Sequence, residues 1–188
     1  MSFVSWFGPH LSGGELERLR HVLDSGYIND GPVSRELEAK VAAFIGTKYA
    51  RVVTSGTAAI SLALWAAGIG DGDEVIIPDL TFVATASAVV MTGADPVLCD
   101  IEPRRFGIDP KCVEVLITER TRAIVPVDVN GRGVDYPALE AICSTHGLKM
   151  ICDSAEGFGS AYGGRNLGSY GTAGCFSLSA NKTITSGQ

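Results

Sequence analysis

Short apolar runs alternate along the chain with stretches in which apolar residues recur at helical spacing. The runs predict buried strands, because Val, Ile and Cys fill them with little polar alternation. They are YARVVT at 49–54, DEVIIP at 73–78, DPVLCDI at 95–101, TRAIVPVDV at 121–129, LKMICD at 148–153 and AGCFSL at 173–178. This composition is typical of a sheet that is covered on both faces.

Stretches with helical periodicity surround and separate these runs. The first, SGGELERLRHVLDSG, opens with a capping-box pattern, in which Ser12 is followed by Glu15, and it closes at Gly26. The second, VSRELEAKVAAFIG, is amphipathic and stops at Gly46. Four further helical candidates are GTAAISLALWAAG at 56–68, FVATASAVVMTG at 82–93, DPKCVEVLIT at 109–118 and DYPALEAICSTHG at 135–147.

The alternation of strands and helices predicts an α/β fold. We expect a mostly parallel sheet with helices on both faces, because parallel neighbours need crossover connections. The 188 residues, 46% of them hydrophobic, suffice for one domain with a substantial core. The Gly-rich stretch at 159–174 predicts a turn or a short hairpin. In such sheets ligands collect beyond the carboxyl ends of the strands, so the residues that follow each strand are the candidates for chemistry.

Charge, cysteine and histidine patterns argue against several classes of site. The net charge of −6, without any run of Lys or Arg, disfavours nucleic-acid or anionic-membrane binding. The five cysteines form no C-x-x-C pair and the three histidines lack metal-ligand spacing, so we expect reduced thiols and no metal site. The first ten residues lack the basic region of a signal peptide, and no apolar run reaches the roughly 20 residues of a membrane span. We therefore expect a soluble, cytoplasmic protein.

Two candidates for ligand binding lie where a predicted strand gives way to a helix. The tripeptide Ser55-Gly56-Thr57 follows YARVVT and opens a helix. Its free N–H groups and the positive end of the helix dipole suit a phosphate, and an ordinary N-cap is the alternative. Phe82 follows DEVIIP, where its ring either faces the ligand crevice or packs in the core.

Three charged residues follow the last predicted strands. Asp153 ends the apolar run LKMICD, where a buried carboxylate is costly unless it meets a cation or hydrogen-bond donors; the alternative is an Asp that caps a turn. Glu156 follows in the same Gly-bounded loop. Lys182 lies beyond AGCFSL, with Ser177 and Ser179 nearby in the sequence. A lysine in a desolvated crevice forms a Schiff base with an aldehyde, whereas a surface lysine is only a solvated charge.

Glycine-rich segments elsewhere do not support a nicotinamide or ATP site. The segment GIGDG at 68–72 precedes a predicted strand, whereas the dinucleotide fingerprint follows a strand and opens a helix. The segment Gly157-Phe158-Gly159 does follow a strand, but Tyr162 occupies the place of the third glycine. No G-x-x-x-x-G-K-[ST] motif occurs in the sequence.

Four motifs occur in a fixed order: SGT opening a helix, PDLTF, DSAE after a strand, and FSLSANKTITSG. Together with SGYINDGP, GIGDGDEVIIPDLTFVATASAV and GADPVLCDIEP, they resemble the DegT/DnrJ/EryC1/StrS family of pyridoxal-phosphate-dependent sugar aminotransferases. The resemblance runs from about Gly8 to Gln188. It implies that residues 1–188 are the large, cofactor-binding domain of a fold-type I aminotransferase, cut before the small carboxyl-terminal domain.

The resemblance also implies a role for each matched residue. Lys182 corresponds to the lysine that binds pyridoxal phosphate as an internal aldimine and, once released, moves a proton between the substrate carbon and C4′. Asp153 corresponds to the partner of the pyridinium nitrogen, which it keeps protonated so that the ring accepts the carbanion's charge. Phe82 corresponds to the residue that stacks on the ring. The residues that correspond to phosphate ligands are Gly56, Thr57 and Ser177.

Other positions bear on the substrate. Glu156 lies where the family usually has Gln or His near the cofactor's phenolic oxygen. Some members that resemble perosamine synthases carry Glu there and also have an NKTIT segment, which favours a nucleotide-linked 4-keto-6-deoxy sugar. The chain departs from the family at Asp128 and Asn130, where many members have His and Tyr. These departures concern substrate detail rather than cofactor chemistry.

The implied function is transfer of an amino group, from glutamate, to a keto sugar nucleotide, by a ping-pong reaction through a pyridoxamine form. The resemblance further implies a homodimer, to which GTAAISLALWAAG and FVATASAVVMTG contribute apolar faces, and a chain about twice as long. We therefore expect this sequence to be a fragment that folds and self-associates without turning over. A non-catalytic regulator and a cofactor-dependent sugar dehydratase are the alternatives. The intact Lys182 disfavours both, since a regulator needs no Schiff base and such dehydratases typically carry His there.

Overall fold

The computed structural model describes Gly8 and residues 10–186; most of the stretch assessed for a signal peptide, and the last residue of the FSLSANKTITSG motif, lie outside it. The described α-helices are α1 Glu15–Ser25, α2 Pro32–Ile45, α3 Gly56–Ala66, α4 Ala84–Val90, α5 Pro110–Leu116 and α6 Tyr136–His146. The described strands are β1 Glu74–Pro78, β2 Asp95–Cys99, β3 Ile101–Glu102, β4 Gly107–Ile108, β5 Thr121–Ile124, β6 Lys149–Asp153, β7 Ala161–Tyr162, β8 Arg165–Asn166 and β9 Ala173–Cys175.

A five-stranded sheet in the order β2-β1-β5-β6-β9 forms the centre, and all of its neighbouring strands are parallel. Successive side chains of a strand point to opposite faces, and β1 shows the effect. Val75 and Ile77 pack into one core cluster with Ile60 and Leu64 of α3, whereas Ile76 packs into the other. The second cluster also contains residues of α5 and α6. The predicted α/β fold with helices on both faces is confirmed.

The cysteines are part of this core. All five are free thiols, and four of them are buried. Cys152 contributes to one core cluster and Cys175 to the other, so both faces of the sheet contain thiols. Burial raises the pKa of Cys175 to about 12, with a smaller contribution from the charge of Asp153. These thiols therefore act as small apolar side chains.

One predicted strand is absent. The segment YARVVT, at 49–54, forms no strand in the described structure, and Val52 is 49% exposed. The Val52 N–H donates instead to the Glu38 carboxylate of α2, at 3.0 Å. An apolar run indicates that a segment suits a sheet, but a ladder also needs a neighbouring strand, and none of the described strands pairs with 49–54. The prediction was wrong for this reason.

Three local predictions concern the ends of the first two helices, the start of α1 and the Gly-rich stretch. Gly26 and Gly46 end α1 and α2 in the left-handed region, with φ of 73° and 86°, as predicted. The capping box at the start of α1 is only half formed. Glu15 accepts a hydrogen bond from the Ser12 N–H at 2.7 Å, but the N-cap is Gly14 rather than Ser12. The strands β7 and β8 form a short antiparallel hairpin within the Gly-rich stretch.

The carboxyl ends of the parallel strands place the candidate residues along one edge of the sheet. Asp153 is the last residue of β6, and the loop with Phe82 follows β1. Ser177 follows β9 by two residues, and Lys182 lies farther along the same loop. None of the helices within residues 10–186 is long and apolar enough to cross a membrane.

Candidate active site

Asp153 is a buried carboxylate at the end of β6. Its two oxygens accept hydrogen bonds from the Thr85 hydroxyl, at 2.7 Å, and from the Ala155 N–H, at 3.2 Å. Burial raises the pKa of Asp153, and these two hydrogen bonds oppose the rise. Among residues 10–186 no Lys, Arg or His side chain forms an ion pair with it. The donors are neutral, so a cationic ligand group suits this position.

Thr85 was not predicted as a site residue. It lies in the first turn of α4, and its hydroxyl is 2.7 Å from that of Thr81. Thr81 belongs to the PDLTF motif and precedes α4, so helical spacing does not relate the two hydroxyls. The structure shows that the Thr85 hydroxyl meets Asp153.

Phe82 lies just before α4, and its side chain is 76% exposed. The alternative of a core phenylalanine is therefore wrong. Its carbonyl accepts the Thr85 N–H at 3.1 Å, which ties the backbone of Phe82 to the turn that holds Asp153. An open aromatic ring near a buried carboxylate offers a flat apolar surface to a planar ligand.

The start of α3 forms the predicted N-cap and also approaches the loop after β9. The Ser55 hydroxyl accepts the Ala58 N–H at 3.1 Å. A Cβ added to Gly56 would lie 3.1 Å from the Cβ of Ser177, so the absence of a side chain brings these two residues together. Thr57 is half-buried in the same first turn. Helix N–H groups beside a serine hydroxyl make a site that suits a phosphate.

Lys182 lies in a crevice rather than on the open surface, and its side chain is 15% exposed. Its Nζ donates to Glu156 Oε1 at 3.3 Å, and Glu156 Oε2 accepts the Asn130 N–H at 2.8 Å. The positive charge of Lys182 also lowers the pKa of Asp153, against the larger effect of burial. The structure thus brings Lys182, Glu156 and Asp153 close to one another, although 29 residues separate the first from the last in the sequence.

A second buried carboxylate, Asp128, lies beside Asp153. Its oxygens accept hydrogen bonds from the Tyr136 hydroxyl, at 2.8 and 2.9 Å, and from the Ser154 hydroxyl, at 2.7 Å. Burial raises the pKa of Asp128 to about 6, although both hydrogen bonds lower it. Sequence reasoning noted Asp128 only as a departure from the family. An aspartate within the apolar run TRAIVPVDV is the signal that marks it for attention.

The sequence profile of the DegT/DnrJ/EryC1/StrS aminotransferase family matches residues 9–188. The chain belongs to this family. The chain spans about half the length of the relatives it matches.

Three relatives illustrate the likeness. The spore coat polysaccharide biosynthesis protein SpsC of Bacillus subtilis is 40% identical over 186 residues, which are 99% of this chain and 48% of SpsC. The structure of DesV from S. venezuelae, in complex with a ketimine intermediate, is 38% identical with a TM-score of 0.87, over 91% of this chain and 46% of DesV. The sugar aminotransferase Spr1654 of Streptococcus pneumoniae, in its PLP form, is 31% identical with a TM-score of 0.93, over 97% of this chain and 50% of that one.

Proposed function

We propose that this protein is a pyridoxal-phosphate-dependent aminotransferase that transfers an amino group, from glutamate, to a keto sugar nucleotide. One observation carries the proposal. The buried carboxylate of Asp153 receives only neutral donors, and it lies in the same crevice as Lys182. Pyridoxal-phosphate chemistry needs a carboxylate that can pair with the cationic ring nitrogen and a largely buried lysine that can bind the aldehyde. Asp153 and Lys182 supply this pair.

The residues present fit pyridoxal phosphate. Asp153 suits the protonated ring nitrogen, and the open ring of Phe82 suits one face of the pyridine. The first turn of α3, with Gly56 and Thr57, suits the phosphate together with Ser177. When bound, this cofactor supplies an electron sink for the carbon that loses a proton.

Lys182 is the residue we expect to bind the aldehyde carbon of the cofactor and later to move the proton. A hydrogen bond to Glu156 fixes the position of the Lys182 Nζ, so the amine is already oriented before a ligand binds. A lysine released from the cofactor acts as a base and acid toward the reacting carbon. Glu156 holds it within reach of the crevice, and the Asn130 N–H fixes Glu156 in turn.

The substrate class rests on relatives rather than on contacts in this chain. One structural neighbour is DesI in the presence of its TDP-sugar product, which is 36% identical with a TM-score of 0.88, over 95% of this chain and 45% of DesI. SpsC is named for polysaccharide biosynthesis. These names, with Glu156 and the NKTIT segment, support a nucleotide-linked 4-keto-6-deoxy sugar as the amino acceptor.

We also propose that residues 1–188 form the large cofactor-binding domain of a homodimer in the cytoplasm. The relatives named above are about twice as long, which supports the domain assignment. Exposed apolar side chains on α3 and around α4, two helices that pack against each other, support self-association, because an apolar patch spread over neighbouring elements suits an interface. These side chains are Leu62, Trp65, Val83, Val90 and Met91. The five free thiols suit a reducing compartment.

The experiment that tests the function begins with the cofactor. Titration of the protein with pyridoxal phosphate should produce a near-violet absorption band that disappears on borohydride reduction, and peptide mapping should place the reduced adduct on Lys182. Lys182→Ala should abolish the adduct, whereas Lys48→Ala, which removes an exposed lysine outside the crevice, should not. An adduct on another residue, or none at all, would refute the proposal. Amino transfer from glutamate to a keto sugar nucleotide, assayed in a chain that also carries the proposed carboxyl-terminal domain, then tests the substrate class.

A further inference from the structure

The turn at residues 126–131, which follows β5, is hydrogen-bonded through its backbone to the end of β6. Val127 and Asp153 form a parallel β-bridge beyond the regular strands. The Asp128 N–H donates to the Asp153 carbonyl at 3.0 Å, and the Asp153 N–H donates to the Pro126 carbonyl at 2.9 Å. This bridge extends the pairing of β5 with β6 as far as Asp153, whose carboxylate faces the cofactor in the proposed function. Any shift of the turn moves the backbone of Asp153.

A buried side-chain contact fastens the same two segments a second time. Asp128 is 1% exposed, and its Oδ2 accepts the Ser154 hydroxyl at 2.7 Å. Among residues 10–186 no cation forms an ion pair with Asp128. Burial of an unpaired carboxylate is unfavourable, so packing alone does not account for an ionisable group here. What this carboxylate provides is a strong acceptor for the residue next to Asp153.

The turn also reaches Glu156. Asn130 is in the left-handed region, with φ of 53°, and in this conformation its N–H donates to Glu156 Oε2 at 2.8 Å. Two glycines allow the loops to touch. A Cβ on Gly131 would lie 3.2 Å from the Glu156 carbonyl, and one on Gly157 would lie 3.3 Å from Asp128 Oδ2. The residues from 128 to 131 thus hold the segment 153–157 at its start, in its middle and at its end.

We propose that Asp128 is a positioning residue for Asp153 and Glu156, and that it acts through Ser154 and through the turn it begins. The proposal rests on the proposed function, in which these two side chains face the cofactor and its lysine. Asp128 itself does not touch the reacting atoms. Its carboxylate fixes Ser154, which fixes the direction of Asp153, and its turn supplies the N–H that orients Glu156 toward Lys182.

Three variants separate this role from an ordinary contribution to the core. Asp128→Asn and Ser154→Ala both weaken the contact between the turn and the segment 153–157. Tyr136→Phe is the matched control, because it removes the other hydroxyl donor of Asp128 but leaves the Ser154 contact in place. Ser154→Thr is the rescue variant, since it keeps a hydroxyl at the same position. If Asp128→Asn does not fold, Ser154→Ala tests the same contact from the other side.

Two measurements are made on each variant. Amide hydrogen exchange of the segment 153–157 in the cofactor-free protein should become about tenfold faster in Asp128→Asn and Ser154→Ala, the factor expected for loss of one hydrogen bond to a charged group. The dissociation constant for pyridoxal phosphate, from absorbance titration, should rise by about the same factor. Tyr136→Phe and Ser154→Thr should stay within about twofold of the wild type in both measurements, a change too small to count as loss of a hydrogen bond.

Equal changes in Tyr136→Phe and Ser154→Ala would overturn the proposal, because Asp128 would then act only as a polar residue of the core. Unchanged exchange in both Asp128→Asn and Ser154→Ala would overturn it as well. Failure of the proposed function gives a different result. The wild-type protein would then take up no pyridoxal phosphate, while the exchange comparison would still decide whether Asp128 positions the segment.

Discussion

The Thr85 hydroxyl donates a 2.7 Å hydrogen bond to the carboxylate of Asp153, across a separation of 68 residues in the sequence. The contact joins the start of α4 to the end of β6, so the helix that follows Phe82 and the strand that ends at Asp153 are fixed to each other at the site. It also opposes the effect of burial, since it lowers the pKa of Asp153. A carboxylate that is to pair with a cation must be ionised, and Thr85 favours that form.

Replacement of Thr85 by Val should weaken cofactor binding. Val preserves the shape of Thr but removes the donor, so the pKa of Asp153 should rise and a larger fraction of the carboxyl should be neutral. We expect the dissociation constant for pyridoxal phosphate to increase about tenfold, and the effect to be larger at lower pH, where more of the carboxyl is neutral. Absorbance titration across a series of pH values measures this. Thr85→Ser, which keeps the hydroxyl, is the control, and an equal loss in Ser and Val would contradict the assignment.

Replacement of Asp153 by Ala should have a larger effect. A hydrogen bond to a charged group contributes roughly 1.5–3 kcal/mol, so affinity or turnover should fall by at least about tenfold. Decay of the cofactor's absorption band after addition of glutamate, in single-turnover conditions and in a chain that also carries the proposed carboxyl-terminal domain, reports the first half of the reaction. Asp24→Ala, which removes an exposed carboxylate of α1, is the control. An unchanged half-reaction in Asp153→Ala would remove Asp153 from the mechanism.

Asp128 should make the stability of the protein depend on pH. Burial raises its pKa from 3.8 to about 6, so the folded state binds this proton more tightly than the unfolded state. The free energy of unfolding contributed by this group should therefore fall as the pH rises from about 4 to about 6, and stay low above it, by about 3 kcal/mol in total. Urea unfolding of the wild type and of Asp128→Asn across this range measures the difference. The two curves should converge at low pH, and parallel curves would show that Asp128 does not titrate in this window.

A charge on the apolar surface of α3 or α4 should disrupt self-association. Trp65 and Met91 are exposed apolar side chains there, and burial of a new carboxylate in an interface is strongly unfavourable. We expect Trp65→Glu and Met91→Glu to shift the protein from dimer to monomer in size-exclusion chromatography with light scattering. Val115→Glu is the control, because Val115 is also an exposed apolar side chain, at 85%, but lies on α5. A wild-type monomer would contradict self-association, and a dimer in all three variants would place the interface elsewhere.

Local pattern was sufficient for most of the fold. The runs that became the central strands β1, β5 and β6 are apolar because both faces of these strands are mostly covered, and composition alone shows that. The run that became the edge strand β2 was also predicted, although Leu98 in it is 62% exposed. The segment at 49–54 has the same composition, but whether it joins a ladder depends on a neighbour that its own residues do not specify. The hydrophobic pattern therefore predicted which segments can form strands. It failed at 49–54, where strand formation depends on a hydrogen-bonded neighbour.

The site was predictable where one residue type carries the chemistry and lies just after a strand. Asp153, Phe82 and Lys182 were found in this way, although their roles stay predictions until the cofactor is tested. The residues that hold them were not found. Thr85 meets Asp153 over 68 positions and Ser154 meets Asp128 over 26, and no local periodicity reports contacts of that range. Such supporting contacts become visible only when the backbone is folded.

The buried thiols can be used to measure how often the core of the protein opens to solvent. Only a thiolate reacts with a disulfide reagent, and burial raises the pKa of Cys99 and Cys175 to about 12, so both should resist modification in the folded state. The half-buried Cys112 should react first. The order and rate at which the other thiols then react measures how often each face of the sheet is exposed to solvent. No chemical label needs to be introduced, because the sequence already places cysteines on both faces of the sheet.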